Sequence, residues 1–186
     1  MTMMLQKRYT FRIPALACLI AGVVGVSPAL KAADEEGVSK LLAQAKTQSY
    51  AISVDATTLE SYTRQPNLNW TTHAAEITRM KEDINAAAKT VTALNAAKAG
   101  AASWQVTAID RIIPYLREIA DDTTNAIEYL NKNQTRLKAG EYKDYIEANS
   151  DTSQELATLI AHFVDYGNHK NRYDSLKKSL ELPATK

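Results

Sequence analysis

The stretch that decides the fold runs from Asn69 to Leu94, NWTTHAAEITRMKEDINAAAKTVTAL. Its apolar and seam positions fall at Trp70, His73, Ile77, Met80, Ile84, Ala87, Val91 and Leu94. Steps that alternate between three and four residues put all eight on one side of an α-helix. Asn69 can cap the first turn with its side chain, and Ala99-Gly100 gives an ordinary stop. The spacing therefore predicts one long helix with a sustained, heptad-like seam.

The same period recurs on both sides. Upstream the series is Val38, Leu42, Ala45, Ser49, Ile52, Ala56, Leu59, broken by Gln65-Pro66-Asn67 because proline disfavours helix in the residue before it. Downstream, Ser103 is positioned to cap a third segment with Ile109, Ile112, Leu116, Ile119, Thr123, Ala126, Leu130 and Leu137 on its stripe. Ile113, Ala120 and Ile127 widen that face, Pro114 should bend the helix near its start, and Ala139-Gly140 should end it. A fourth segment reads Tyr142, Tyr145, Ile146, Asn149, Thr152, Leu156, Leu159, Ile160, Phe163, Tyr166, then Tyr173, Leu176 and Leu180. Two places in it are poor helix: the polar run Asn149–Ser153, and Gly167-Asn168, which is expected to interrupt or kink it. Short connections between amphipathic helices force antiparallel neighbours. The expected fold is all-α, an antiparallel up-down-up-down four-helix bundle of long helices over residues 34–186. Helices of about 30 residues make a rod roughly 45 Å long.

The first 33 residues read as a cleaved signal peptide and not as part of the fold. Lys7, Arg8 and Arg12 supply the positive end, and the apolar run Ile13–Val26 is too short to span a bilayer comfortably. Small residues follow in Ser27-Pro28-Ala29-Leu30-Lys31-Ala32-Ala33, with cleavage expected after Ala32 or Ala33. The single cysteine, Cys18, lies inside the apolar run, where Leu19-Ile20-Ala21 continues past it, a poor match to a lipidation site. An exported chain without that leader has no thiol, hence no disulfide, cysteine nucleophile or thiolate ligand. Of 22 Lys and Arg, four (Lys7, Arg8, Arg12, Lys31) belong to the leader, which leaves 18 against 21 Asp and Glu, a net charge of −3. Such a domain does not point to nucleic acid, and no second run of about 20 apolar residues suggests a membrane span.

Chemistry-bearing patterns are sparse. His162, Asp165 and His169 recur at three-, four- and seven-residue intervals, so they share a helix face and make a candidate site for zinc, copper or nickel; a solvated face is the simpler reading. His73 sits roughly 25 Å from that level along the bundle axis, too far to join one ion, and is expected as a hydrogen-bonded seam residue packed on Trp70. A di-iron bundle needs Glu-x-x-His twice, whereas His73-Ala-Ala-Glu76 occurs once and runs in the opposite sense. Met80 and His162 lie at different heights and cannot clasp one haem. Gly-x-Ser-x-Gly, His-Glu-x-x-His and calcium-loop patterns are absent from the sequence. No cofactor is expected, and the chain reads as a non-enzymatic protein. On the seam, Ser49 and Thr123 fall at similar heights near Ala87, either to let helices approach closely or to line a small cavity for water or a ligand.

Beyond Gly167 the fourth helix should outrun its neighbours. There Lys170, Arg172, Tyr173 and Lys177, with Lys178, Leu176 and Leu180, form a basic amphipathic end suited to a protein partner or a second copy of the chain; the alternative is a solvated tail. The runs Leu59–Arg64, Ala108–Pro114, Glu141–Tyr145 and Phe163–Gly167 resemble uncharacterised exported helical-bundle proteins of environmental bacteria, over about Leu41 to Pro183. That resemblance implies a bacterial envelope setting, periplasmic or secreted, and transfers no functional residue. Two function classes follow: a binding or structural/interaction protein of the cell envelope, and a small-ligand or metal-binding, sensor-like bundle.

Overall fold

The computed structural model describes residues 35–65, 68–134 and 140–181. The proposed leader, Pro66-Asn67, Leu137 and Ala139 lie outside them. The described residues form four α-helices packed against one another, α1 (Glu35–Thr63), α2 (Trp70–Ala97), α3 (Ser103–Lys132) and α4 (Gly140–Ser179), without a strand among them. A 3-10 turn, Lys98–Gly100, links α2 to α3. No helix of the described residues is long and apolar enough to cross a membrane.

Cross-contacts fix the layout. At the near end, where α1 and α3 start, buried Gln105 donates to the Glu35 carbonyl at 2.8 Å and to the Ser39 hydroxyl at 3.0 Å. At the far end, where α2 and α4 start, His73 meets Tyr142. Each helix packs on its two chain neighbours in a ring, α1 closing against α4. The chain thus runs up, down, up, down, as expected.

The seams of α1 and α3 are buried as the period requires. Val38, Leu42, Ala45, Ser49, Ile52, Ala56 and Leu59 are interior on α1, and Ile109, Ile112, Leu116, Ile119, Thr123, Ala126 and Leu130 on α3. On α2 the seam drifts: Thr90 is buried and Val91 only half so.

Several local expectations change. Asn69 does cap α2, accepting from the Thr71 N–H at 2.9 Å. Ser103, however, is the first helical residue of α3 and not its cap; Gln105 Oε1 instead accepts the Ala102 N–H at 2.9 Å. Helix α3 stops at Lys132, well before Ala139-Gly140, because the Asn133 N–H and side-chain amide both donate to the Tyr129 carbonyl. Gly140 then opens α4. Pro114 lies within an unbroken α3 on its exposed side.

The main correction concerns α4. Neither Asn149–Ser153 nor Gly167 interrupts it; the helix is continuous over 40 residues, against 29, 28 and 30 in α1 to α3. Polar side chains in the first stretch point inward, with Asn149, Ser150 and Ser153 all buried, so packing overrides their weak helix preference. Gly167 is there for space: a Cβ would lie 2.6 Å from Cη2 of Trp104. The outer edge of the indole reaches the helix only because no side chain intervenes.

Candidate interaction surface on the fourth helix

Gly167 marks the level at which α4 leaves the bundle. Trp104, near the start of α3, packs on it and meets the Tyr166 ring edge-on at 5.5 Å between centroids. Just before it, Asp165 reaches Lys46 on α1 at 3.1 Å, and the Arg111 guanidinium lies 5.7 Å from the centre of the Phe163 ring. These contacts clamp α4 between α1 and α3. Past them, residues 168–181 are exposed except Lys177, which is half-buried. The twelve residues that follow Gly167, up to Ser179, extend roughly 18 Å beyond the clamp.

The overhang carries large apolar groups in water: Tyr173 is 59% exposed, Leu176 53% and Leu180 65%. Lys170 bonds Asp174 one turn on at 2.7 Å, and that hydrogen bond with its opposite charge raises the ammonium's pKa above the ordinary lysine value. Of the residues singled out from sequence, Lys170, Arg172 and Tyr173 therefore stand on a solvent-exposed helix end. Lys177 is there too, partly covered and engaged in contacts of its own.

Toward the bundle the same helix borders an open groove of about 380 Å³ shared with α3, lined by Arg111, Tyr115, Gln154, Glu155, Thr158, Leu159 and His162. Leu159 of the α4 stripe borders this groove, but the stripes do not announce it, because residues of two helices form it together.

The candidate metal residues do not gather. His162, Asp165 and His169 are all exposed, Asp165 is paired with Lys46, and among the described residues no group of three or more His, Asp or Glu side chains is placed to hold an ion.

Two other polar places are structural in character. At the far end His73 is 1% exposed and its Nδ1 lies 2.9 Å from the Tyr142 hydroxyl. The expected hydrogen-bonded seam histidine is present, but its partners are Tyr142 and the edge of Tyr62 rather than Trp70. Tyr142 in turn stacks on Tyr129 at 5.8 Å. Burial lowers the His73 pKa, which favours the neutral ring, and raises that of Tyr142, which keeps its hydroxyl protonated. Halfway along, Thr123 donates to the Ile119 carbonyl at 2.7 Å and accepts from Asn149 Nδ2 at 2.8 Å. Ser49 bonds the Lys46 carbonyl of its own helix, so the partner of Thr123 is Asn149.

On the α1–α2 face, Asp55 is 5% exposed and receives Arg79 at 2.6 Å; the same guanidinium grips Glu76. Asp83, one turn from Arg79, has its carboxyl pushed above the usual range by burial and by the charge of Asp55. This acidic cluster was not read from sequence, since Asp55 lies beside the α1 seam and not on it.

No protein-family profile, no curated protein and no solved structure matches the chain.

Proposed function

We propose that this chain is an exported cell-envelope protein, periplasmic or secreted, that works by binding rather than by catalysis, and that the protruding end of α4 is its binding surface. The observation that carries this reading is a helix end holding Tyr173, Leu176 and Leu180 out in water at more than half exposure, among basic residues. Three large apolar side chains on one projecting helix are costly to leave solvated, at about 25 cal/mol per Å² of apolar surface, and gain that back when covered. Export rests on the leader-like sequence of residues 1–33. The test is covalent cross-linking in native envelopes followed by mass spectrometry. A cross-linked product should form with the wild-type chain and disappear when Tyr173 and Leu176 are replaced by Glu. Cytosolic retention with the leader intact, or a product indifferent to both substitutions, would refute the proposal.

A second reading, a bundle that binds a small ligand, is favoured by one observation: Asn149 Oδ1 and Ser153 Oγ are buried one turn apart on α4 and have no hydrogen-bond partner among the described residues. A hydrogen-bond donor seated between them would satisfy both. Native mass spectrometry of the protein from its own envelope tests this, and a ligand-free mass would remove it. Retained zinc or copper, lost on replacing His162 and His169 by Ala, would instead support a metal-binding bundle.

A further inference from the structure

We infer that the partner of the α4 overhang is a second copy of this chain, bound antiparallel along the outer face of α4; the inference rests on the binding role proposed above.

The face is continuous. Leu159, Tyr166, Tyr173 and Leu180 recur every seven residues, with His162, His169 and Leu176 between them at steps of three and four. This is the spacing of a coiled-coil seam. It is distinct from the core seam of α4 (Ile146, Asn149, Ser153, Leu156, Ile160, Gly167), from which it is rotated by roughly 150° at about 100° per residue. The core seam is buried, whereas none of the seven outer positions is. In the bundle the outer seam borders the α3–α4 groove through Leu159 and His162, and past Gly167 it becomes the apolar side of the overhang. One helix therefore carries two seams, and among the described residues only one of them is buried.

Charge selects both the occupant and its direction. From Asp144 to His169 the helix holds Asp144, Glu147, Asp151, Glu155 and Asp165 and not one Lys or Arg. From Lys170 to Lys178 it holds Lys170, Arg172, Lys177 and Lys178 against a single Asp174. Two parallel copies would set the basic ends side by side. Two antiparallel copies paired about Gly167 set each basic end on the partner's residues 157–165, which hold Asp165 and no Lys or Arg, with Glu155 just beyond, so like charges are kept apart and orientation is fixed. A two-fold axis passing close to Gly167 makes the surface self-complementary, as a closed dimer requires. It places Leu176 opposite the partner's Leu159, Tyr173 opposite the partner's His162, and Tyr166 opposite the partner's His169. In this register Lys170 faces the partner's Asp165, and Lys178 lies within a turn of the partner's Glu155. Each overhang then lies along the outside of the other bundle, over its groove.

The test is sedimentation velocity of the purified protein over a range of concentrations, together with cysteine cross-linking. Wild type should show about twice the monomer mass at the higher concentrations, as for a closed dimer. Tyr173→Glu with Leu176→Glu should return it to monomer with α1 to α3 still folded, since both side chains are exposed and make no core contact. Tyr50→Glu, on the exposed side of α1, should leave the dimer intact. Tyr173→Cys mixed with His162→Cys should give a disulfide-linked heterodimer, and Tyr173→Cys alone should not. A Tyr173→Cys homodimer would mean parallel pairing and overturn the inference. So would a wild-type monomer at every concentration, whether its overhang binds vesicles of anionic phospholipid or is shielded by the chain's own N-terminal stretch. If the purified protein is a monomer while the envelope cross-link still depends on Tyr173 and Leu176, self-pairing falls and the binding role stands.

Discussion

Replacing Tyr142 by Phe removes one oxygen atom from the far end of the bundle and tests how that end is held. The hydroxyl lies 2.9 Å from His73 Nδ1, and both residues are at most 1% exposed, so water cannot take its place. The ring's packing on Tyr129 is kept, which isolates the hydrogen bond. A buried polar group left without its partner costs roughly 1–3 kcal/mol. With a Tm change of roughly 2–4 °C per kcal/mol for a chain of this size, a central cost of about 2 kcal/mol lowers Tm by roughly 4–8 °C. Tyr142→Ala loses the ring as well and should cost more, about 3–5 kcal/mol by analogy with Phe→Ala. Urea and thermal denaturation of Tyr142→Phe, His73→Ala and the double variant give the coupling directly. The pair should couple by more than about 0.5 kcal/mol. Additive single effects, or a Tyr142→Phe protein within about 0.5 kcal/mol of wild type, would refute the reasoning. A pH series adds a second check. Burial lowers the folded-state pKa of His73 below its ordinary 6.5, so the unfolded chain binds the proton more readily. The stability due to the neutral ring is therefore present above 6.5 and is lost as pH falls below it. His73→Gln, which cannot titrate there, should lose less stability than wild type between neutrality and pH 5.

Three further substitutions probe other contacts. Asp83→Asn should stabilise the protein at neutral pH by roughly a few tenths of a kcal/mol after solvent screening, because the folded state raises this carboxyl's pKa. That gain should shrink as pH falls through the carboxylate range; a loss of stability at pH 7 would contradict it. Arg79→Ala leaves buried Asp55 without the cation paired to it and should cost roughly 1–2 kcal/mol in urea denaturation, the guanidinium itself being half in water; an unchanged midpoint would mean the pair is idle. Gly167→Val drives side-chain atoms into Trp104 and should cost about 1–3 kcal/mol. In that background Trp104→Ala should cost less than in wild type, and equal costs would show that the glycine is not there for the indole.

How much of this was legible beforehand differs by helix. The seams of α1 and α3 could be read residue by residue, because burial follows period when every seam position is small, apolar or self-bonded. The far-end histidine was legible as a seam residue, yet its partner was not: Trp70 is close in sequence, while Tyr142 is brought in only by the antiparallel return of α4. Helix α4 resisted most. Asn149–Ser153 reads as a weak, polar stretch, and only a facing Thr123 makes an inward Asn149 sensible. Gly167 reads as a break until Trp104 is seen lying on it. Conversely, the basic amphipathic end was plain in the sequence, since a charge run interleaved with Tyr173, Leu176 and Leu180 needs no tertiary knowledge to be noticed. The groove beside Leu159 was hidden, because it is formed by two helices and named by neither.

The central claim is that the outer face of α4 is covered in use, and backbone hydrogen exchange of residues 168–181 measures that most directly. Without tertiary contacts, a helix end of this length frays and exchanges quickly. Slow exchange in concentrated protein that becomes fast on dilution, with exchange in α1 to α3 unchanged, is the predicted result. Fast exchange of 168–181 at every concentration, in the purified protein and in native envelope extracts alike, would contradict the account.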